Sequence, residues 1–408
     1  MSRGVSVAPD CWPVPVRRRR PIWRVAQARI VAATGLAPLV ALGVMLIGAG
    51  GAHADDWRNR EWYLGLLKAD KLSSITQGKG VTVAVIDSGV NGNHPDLKGN
   101  VAQGRDFVDP GNGWQDPKGH GTAMASLIAG HGHGAAAADG IRGLAPESTV
   151  LPVRVLSPRA KDNNSRKTHV DDGIAWATEH GATVINLSMT GGGLAFALED
   201  AFSSDAVVVA GVGNTAQNDH GVQAPARTPG VVAVSGIDQN GKFTNKSTQG
   251  PEVVLAAPAV NLASAWAGKL GDYSLVTGTS GATALVSATA ALIRAKYPNI
   301  SANGVINRLI STADDMGPPG RDSRYGFGVV NPLKALMADM PDLKYNPLIK
   351  GTPGPTRTPT RSAGAGTDDA GGGYVLAVLS VIGGLIAVTV IATGAIALTR
   401  SRRIRSGM

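Results

Sequence analysis

Val81-Thr82-Val83-Ala84-Val85-Ile86-Asp87-Ser88-Gly89 is an apolar run that ends on a carboxylate and a glycine turn. Residues 81–86 are apolar on both faces, the pattern of a strand inside a covered parallel sheet. Gly78-Lys79-Gly80 breaks the chain just before it. Outward from this run, similar apolar stretches recur at 149–155, 182–187, 206–210, 231–234 and 253–257. Helix-like stretches lie between or after them, at 121–129, 170–180, 194–203, 283–297 and 302–311. Alternating strands and helices predict an α/β, three-layer fold with a mostly parallel central sheet and helices on both faces. In such folds, functional sites collect at the carboxyl ends of the strands.

The chain has 408 residues, enough for one large domain with accessories. Its net charge of +9 would suit a nucleic-acid binder, but the excess sits at the two ends, beside apolar segments. Residues 1–54 carry seven Arg against a single acid, Asp10, while the body is near neutral; nucleic acid is therefore not an expected partner. A basic stretch ending at Arg29, an apolar run over 30–49 and the small-residue site Ala52-His53-Ala54 predict a signal peptide over 1–54. An uncleaved signal anchor is the alternative. Residues 374–398 hold no charge, and at ~1.5 Å per residue they span a ~30 Å hydrocarbon core. Arg400, Arg402, Arg403 and Arg405 follow, so 399–408 reads as a basic cytoplasmic tail and everything before 374 as extracytoplasmic. The expected location is the cell membrane, crossed once by a C-terminal transmembrane helix.

Between these ends the sequence divides into a short lead-in at 55–79, a folded domain at 80–340 and a Pro/Thr/Gly-rich linker at 341–373. The single cysteine, Cys11, falls in the signal, so the mature chain has neither a disulfide nor a thiol nucleophile.

Four residues have chemical potential, and each also has an ordinary structural reading. Asp87 ends a strand; alone it reads as a turn or N-cap aspartate. His120, in Gly119-His120-Gly121-Thr122, stands where a helix begins. Ser280, in Gly278-Thr279-Ser280-Gly281, precedes a long apolar helix and reads either as a cap or as a nucleophile at a tight turn. Asn214, in Gly211-Val212-Gly213-Asn214, follows an apolar strand and reads either as a turn residue or as a donor to an oxyanion.

The order Asp, His, Asn, Ser, each at a strand end or helix start, resembles the subtilisin-like serine proteases, the S8 family. Further segments carry the likeness, which spans roughly 78–337: Gly143-Leu144-Ala145-Pro146, Val184-Ile185-Asn186-Leu187-Ser188 and Tyr325-Gly326-Phe327-Gly328-Val329-Val330-Asn331. The resemblance implies a serine endopeptidase acting on protein or peptide substrates without a cofactor. It implies Asp87, His120 and Ser280 as a triad, with Asn214 at the oxyanion. It also implies that Ser188, Met189, Thr190 and Gly213 border the pocket for the residue before the cut. The signal, short lead-in, single domain, Pro-rich stalk and C-terminal apolar segment together resemble the mycosins, proteases that accompany type VII secretion in actinobacteria. Membrane components of such a system are then expected partners.

The sequence departs from the family pattern in three places. Ala284 stands where many subtilases have Pro, and Gly281 follows the serine where a side chain is common. Gly281 is expected to loosen the turn and widen the space beside it, and Ala284 to leave the helix start less rigid. The lead-in is also too short for a folding pro-domain. These departures keep open a catalytically impaired scaffold that stabilises a secretion complex, and a triad hydrolase of esters or lipids is a further alternative. His131 and His133 read as a solvated loop rather than a metal site, and no metal is expected. Asp162, Asp171 and Asp172 lack calcium-loop spacing.

Overall fold

The computed structural model describes residues 56–156, 163–191, 195–217, 221–267 and 272–349. The expected signal peptide, transmembrane helix and basic tail, and most of the linker, lie outside the described residues. Among the described residues, eleven strands follow in chain order: β1 Thr82–Asp87, β2 Arg105–Asp106, β3 His131–His133, β4 Asp139–Arg142, β5 Thr149–Arg154, β6 Val184–Leu187, β7 Val207–Gly211, β8 Val232–Ile237, β9 Leu255–Pro258, β10 Leu262–Ala265 and β11 Tyr273–Val276. The helices are α1 Trp62–Leu66, α2 Ala69–Ser73, α3 His120–Ala129, α4 Asn163–Glu179, α5 Ala195–Ser203, α6 Thr279–Lys296, α7 Ala302–Ser311 and α8 Pro332–Met337.

Seven strands form one sheet in the order β2-β5-β1-β6-β7-β8-β9, every pair parallel. The inner strands are buried along their length, as their two-faced apolar sequences require. β1 lies between β5 and β6, with Asp87 level with Arg154 and Val85 level with Asn186. The carboxyl ends of β1, β6 and β7 are thus neighbours, which brings Asp87, Ser188 and Asn214 to one edge of the sheet. Two small antiparallel pairs, β3–β4 and β10–β11, stand apart from it. Two helix pairs pack on the sheet: α3 with α6, and α4 with α5.

Six of the strands, β1 and β5 to β9, appear where the apolar runs place them, shifted by one to three residues, whereas β2, β3, β4, β10 and β11 are short strands that those runs do not mark. Helix starts differ more. α6 begins at Thr279 rather than 283, and α4 at Asn163 rather than 170, because the first turns of both are polar or small and carry no apolar period.

The lead-in is built into the same core as the sheet. Tyr63 is fully buried among Leu67, Ala69 and Leu72. Its hydroxyl lies within hydrogen-bond reach of the Ala263 carbonyl oxygen, at 2.9 Å, and of Glu61 Oε1, at 2.7 Å, and Trp62 Nε1 donates to the Val260 carbonyl at 3.1 Å. At the other end, the Pro-containing segment after α8 is also held. Ser301 Oγ donates to Asp342 at 2.6 Å, and Asn346 Nδ2 donates to the Gly230 carbonyl at 3.2 Å. No helix among the described residues is long and apolar enough to cross a membrane.

Candidate active site

Asp87 closes β1 with its side chain wholly buried. A buried carboxylate needs hydrogen-bond donors, and two are present. The Ser88 N–H donates to Oδ1 at 2.6 Å, and His120 Nδ1 lies 2.9 and 2.8 Å from the two oxygens. A carboxylate only accepts, so the imidazole proton sits on Nδ1 and the basic lone pair on Nε2. His120 is the first residue of α3, and Gly119 before it has φ 79°, a left-handed conformation that suits glycine. Gly121 permits the close approach of α3 to the Asp87 turn: a Cβ there would lie 2.0 Å from the Gly89 carbonyl oxygen.

Ser280 is the second residue of α6, which packs on α3, and is 6 % exposed. Its Oγ donates to the Ser188 carbonyl at 3.3 Å, while Ser188 Oγ donates to the Ser280 carbonyl at 3.0 Å. Behind this exchange, Asn186 Nδ2 donates to Ser188 Oγ at 3.0 Å and Ser287 Oγ donates to Asn186 Oδ1 at 3.1 Å. The serine is therefore tied to β6 through main chain and side chain together.

Asn214 lies just past β7. Its Oδ1 accepts the Thr279 N–H at 2.8 Å, so the carboxamide is oriented by the turn before Ser280, with Nδ2 as its donor arm. Of the residues expected at the substrate pocket, Ser188 and Met189 are buried after β6 and Thr190 is half-buried. Gly213 adopts φ 98° beside Asn214, and its carbonyl accepts the Thr248 N–H.

One expectation for the serine turn is corrected. The place beside Gly281 is not widened: a Cβ there would sit 2.5 Å from Leu262 Cδ1, so β10 already fills it. The helix itself runs unbroken from Thr279 through the buried Ala284. Thr283 Oγ1 donates to the Thr279 carbonyl at 2.8 Å in that first turn.

Sequence reasoning passed over Asp116. This buried aspartate accepts hydrogen bonds from both sides of His120 and from Ser88. Burial, its largest influence, pushes its pKa up, against the pull of its Thr122 and Ser88 bonds. Asp116-Pro117-Lys118 looks like an ordinary turn, and only burial reveals it.

His131 and His133 lie on β3. His133 Nδ1 is 2.6 Å from Asp96, and His131 Nδ1 is 2.6 Å from the Gly132 carbonyl oxygen. No group of three His, Cys, Asp or Glu among the described residues is placed to hold a metal ion. Asp162 lies outside the described residues. Asp171 and Asp172 lie on α4, where burial and the neighbouring Asp172 raise the pKa of Asp171.

A parallel α/β sheet that delivers an aspartate-held imidazole and a serine at neighbouring helix starts defines a hydrolase of the serine type. The Subtilase family profile, Peptidase_S8, matches residues 78–328, and the chain belongs to that family; it is a serine-type endopeptidase. It is 36 % identical over 262 residues to the thermostable alkaline protease of Halalkalibacterium halodurans, covering 63 % of this chain and 68 % of that one. Its fold is similar to MycP1 from Mycobacterium smegmatis, with TM-score 0.64 and 30 % identity over 74 % of this chain and 90 % of that one. It is also similar to the MycP3 protease from the type VII (ESX-3) secretion system, with TM-score 0.60 and 31 % identity over 68 % of this chain and 88 % of that one.

Proposed function

We propose that this endopeptidase is anchored in the cell membrane by residues 374–398 with its catalytic domain outside, and processes proteins linked to type VII secretion. Ser280 Oγ attacks the scissile carbonyl. His120 takes its proton at Nε2 and returns it to the leaving amine. Asp87 holds the tautomer and stabilises the imidazolium. Asn214 Nδ2 and the Ser280 N–H donate to the tetrahedral oxyanion.

The observation that carries this reading is the buried Asp87–His120 Nδ1 contact at 2.8 Å, which leaves Nε2 as the basic nitrogen on a helix packed against that of Ser280. The likeness to MycP1 and MycP3 supports the secretion link. The charge-free segment and the arginines after it support the anchor. Cells carrying the intact chain are compared with cells carrying Ser280→Ala, reading cleavage of secreted proteins and fluorophosphonate labelling of the membrane fraction. The expected result is labelling at Ser280 and a processed secreted protein, both lost in the variant. A folded wild-type chain whose Ser280 never labels overturns the triad. Identical secreted proteins in the two strains overturn the secretion role.

A further inference from the structure

Asp116 is the buried carboxylate beside the site that the roles above leave unused. Its Oδ1 accepts from Ser88 Oγ at 2.8 Å, from the Gly119 N–H at 2.9 Å and from the Lys118 N–H at 3.2 Å. Its Oδ2 accepts from the Thr122 N–H at 2.8 Å and from Thr122 Oγ1 at 2.6 Å. Ser88 Oγ, donating to Asp116, in turn accepts the Gly121 N–H at 3.1 Å. The carboxylate therefore grips the chain on both sides of His120, and through Ser88 it reaches the residue that follows Asp87.

Resting on the triad reading, we propose that Asp116 is a positioning residue: its carboxyl group sets the first turn of α3 so that the His120 imidazole meets Asp87 in the productive orientation. Two arguments select a carboxylate for this place. Five donors converge on two oxygens, which a neutral acid with a proton of its own cannot serve equally well. Each oxygen also faces at least one main-chain N–H, so an asparagine in either orientation sets its NH₂ against a donor. Asp116 touches no reacting atom in this arrangement; it acts only through the backbone that carries His120.

The test uses the full-length chain and a fluorophosphonate probe, whose phosphorus bonds to Ser280 Oγ as fluoride leaves and His120 takes the proton. Saturation kinetics separate kinact, which needs proton transfer, from KI, which does not. Asp116→Asn is expected to lower kinact about 10–100-fold per folded molecule, the scale of a small misplacement of a reacting group, with KI unchanged. A merely structural Asp116 would lower Tm and the labelled fraction but leave kinact of the folded molecules intact. Labelling by Asp116→Asn within twofold of wild type overturns the proposal. Where that variant does not fold, Ser88→Ala decides. It keeps the carboxylate but cuts the tie to Gly121, and it is expected to lower kinact with KI unchanged; an unaltered kinact overturns the proposal. A wild-type chain that is not labelled at Ser280 overturns the triad reading itself, a result distinct from a labelled wild type and an equally labelled Asp116→Asn.

Discussion

At position 281 a side chain and a neighbouring strand compete for one volume. Leu262 Cδ1 holds it, 2.5 Å from where a Cβ would be, whereas Leu127 Cδ1 is at an ordinary 3.5 Å. Gly281→Ala in the wild-type chain is therefore expected to destabilise by about 1 kcal/mol, the low end of overpacking costs. With Leu262→Ala the obstruction is gone and the helix preference for Ala over Gly emerges, so the same change is expected to stabilise by about 0.5–1 kcal/mol. Denaturant unfolding of the four proteins reads this reversal of sign; one sign in both backgrounds refutes the packing account. Asn214→Ala is expected to lower kcat about 10²–10³-fold with KM little changed, because an oxyanion donor acts only in the transition state. Full kcat in steady-state assays of that variant removes Asn214 from the oxyanion. Asp87, His120, Asn214 and Ser280 stood out in the sequence by their order at strand ends and helix starts, since each alone reads as a cap or turn residue. Asp116 and Leu262 did not: their roles arise from burial and from contacts distant in sequence, which no local pattern announces.

At the scale of elements, β6 and α6 are joined by a buried polar chain rather than by apolar packing alone. Asn186 bridges Ser188 and Ser287, and all three are buried. Asn186→Ala takes the acceptor from the buried Ser287 hydroxyl and a donor from Ser188 Oγ, and is expected to cost about 1–3 kcal/mol. Combined with Ser287→Ala, the total should fall short of the sum of the single changes by at least about 0.5 kcal/mol, since both delete one bond. Additive effects in chemical unfolding would mean that the chain is not a unit. Elements were legible in the sequence where apolar character was continuous, as in the sheet strands. The polar first turns of α4 and the small residues opening α6 carry no period, so their helical state had to come from the structure.

For the whole molecule, the lead-in couples pH to stability. Burial, its largest influence, pushes the Glu61 carboxyl from 4.5 up to about 8, against the Tyr63 hydroxyl, Arg58 and the Arg142 N–H. The folded state holds this proton more tightly than the unfolded chain. The associated stability is full below pH about 4.5 and is lost as pH rises toward about 8. Tm is expected to fall by several degrees across that interval, and Glu61→Gln, which stays neutral, should flatten the slope. An unchanged slope in the variant, followed by calorimetry, would assign the pH dependence elsewhere. The two chain ends were read from charge and apolar length alone, and they fall outside the described residues.

The bond from the Tyr63 hydroxyl to the Ala263 carbonyl joins residues 200 positions apart. A chain made from its N-terminus first cannot form it until most of the sequence has emerged, and Ser280 comes later still. Closing so long a loop yields its reward only when both ends are present. Under the proposed triad, a chain cut short before Ser280 lacks its nucleophile and is expected to be inert toward its surroundings and toward its own kind.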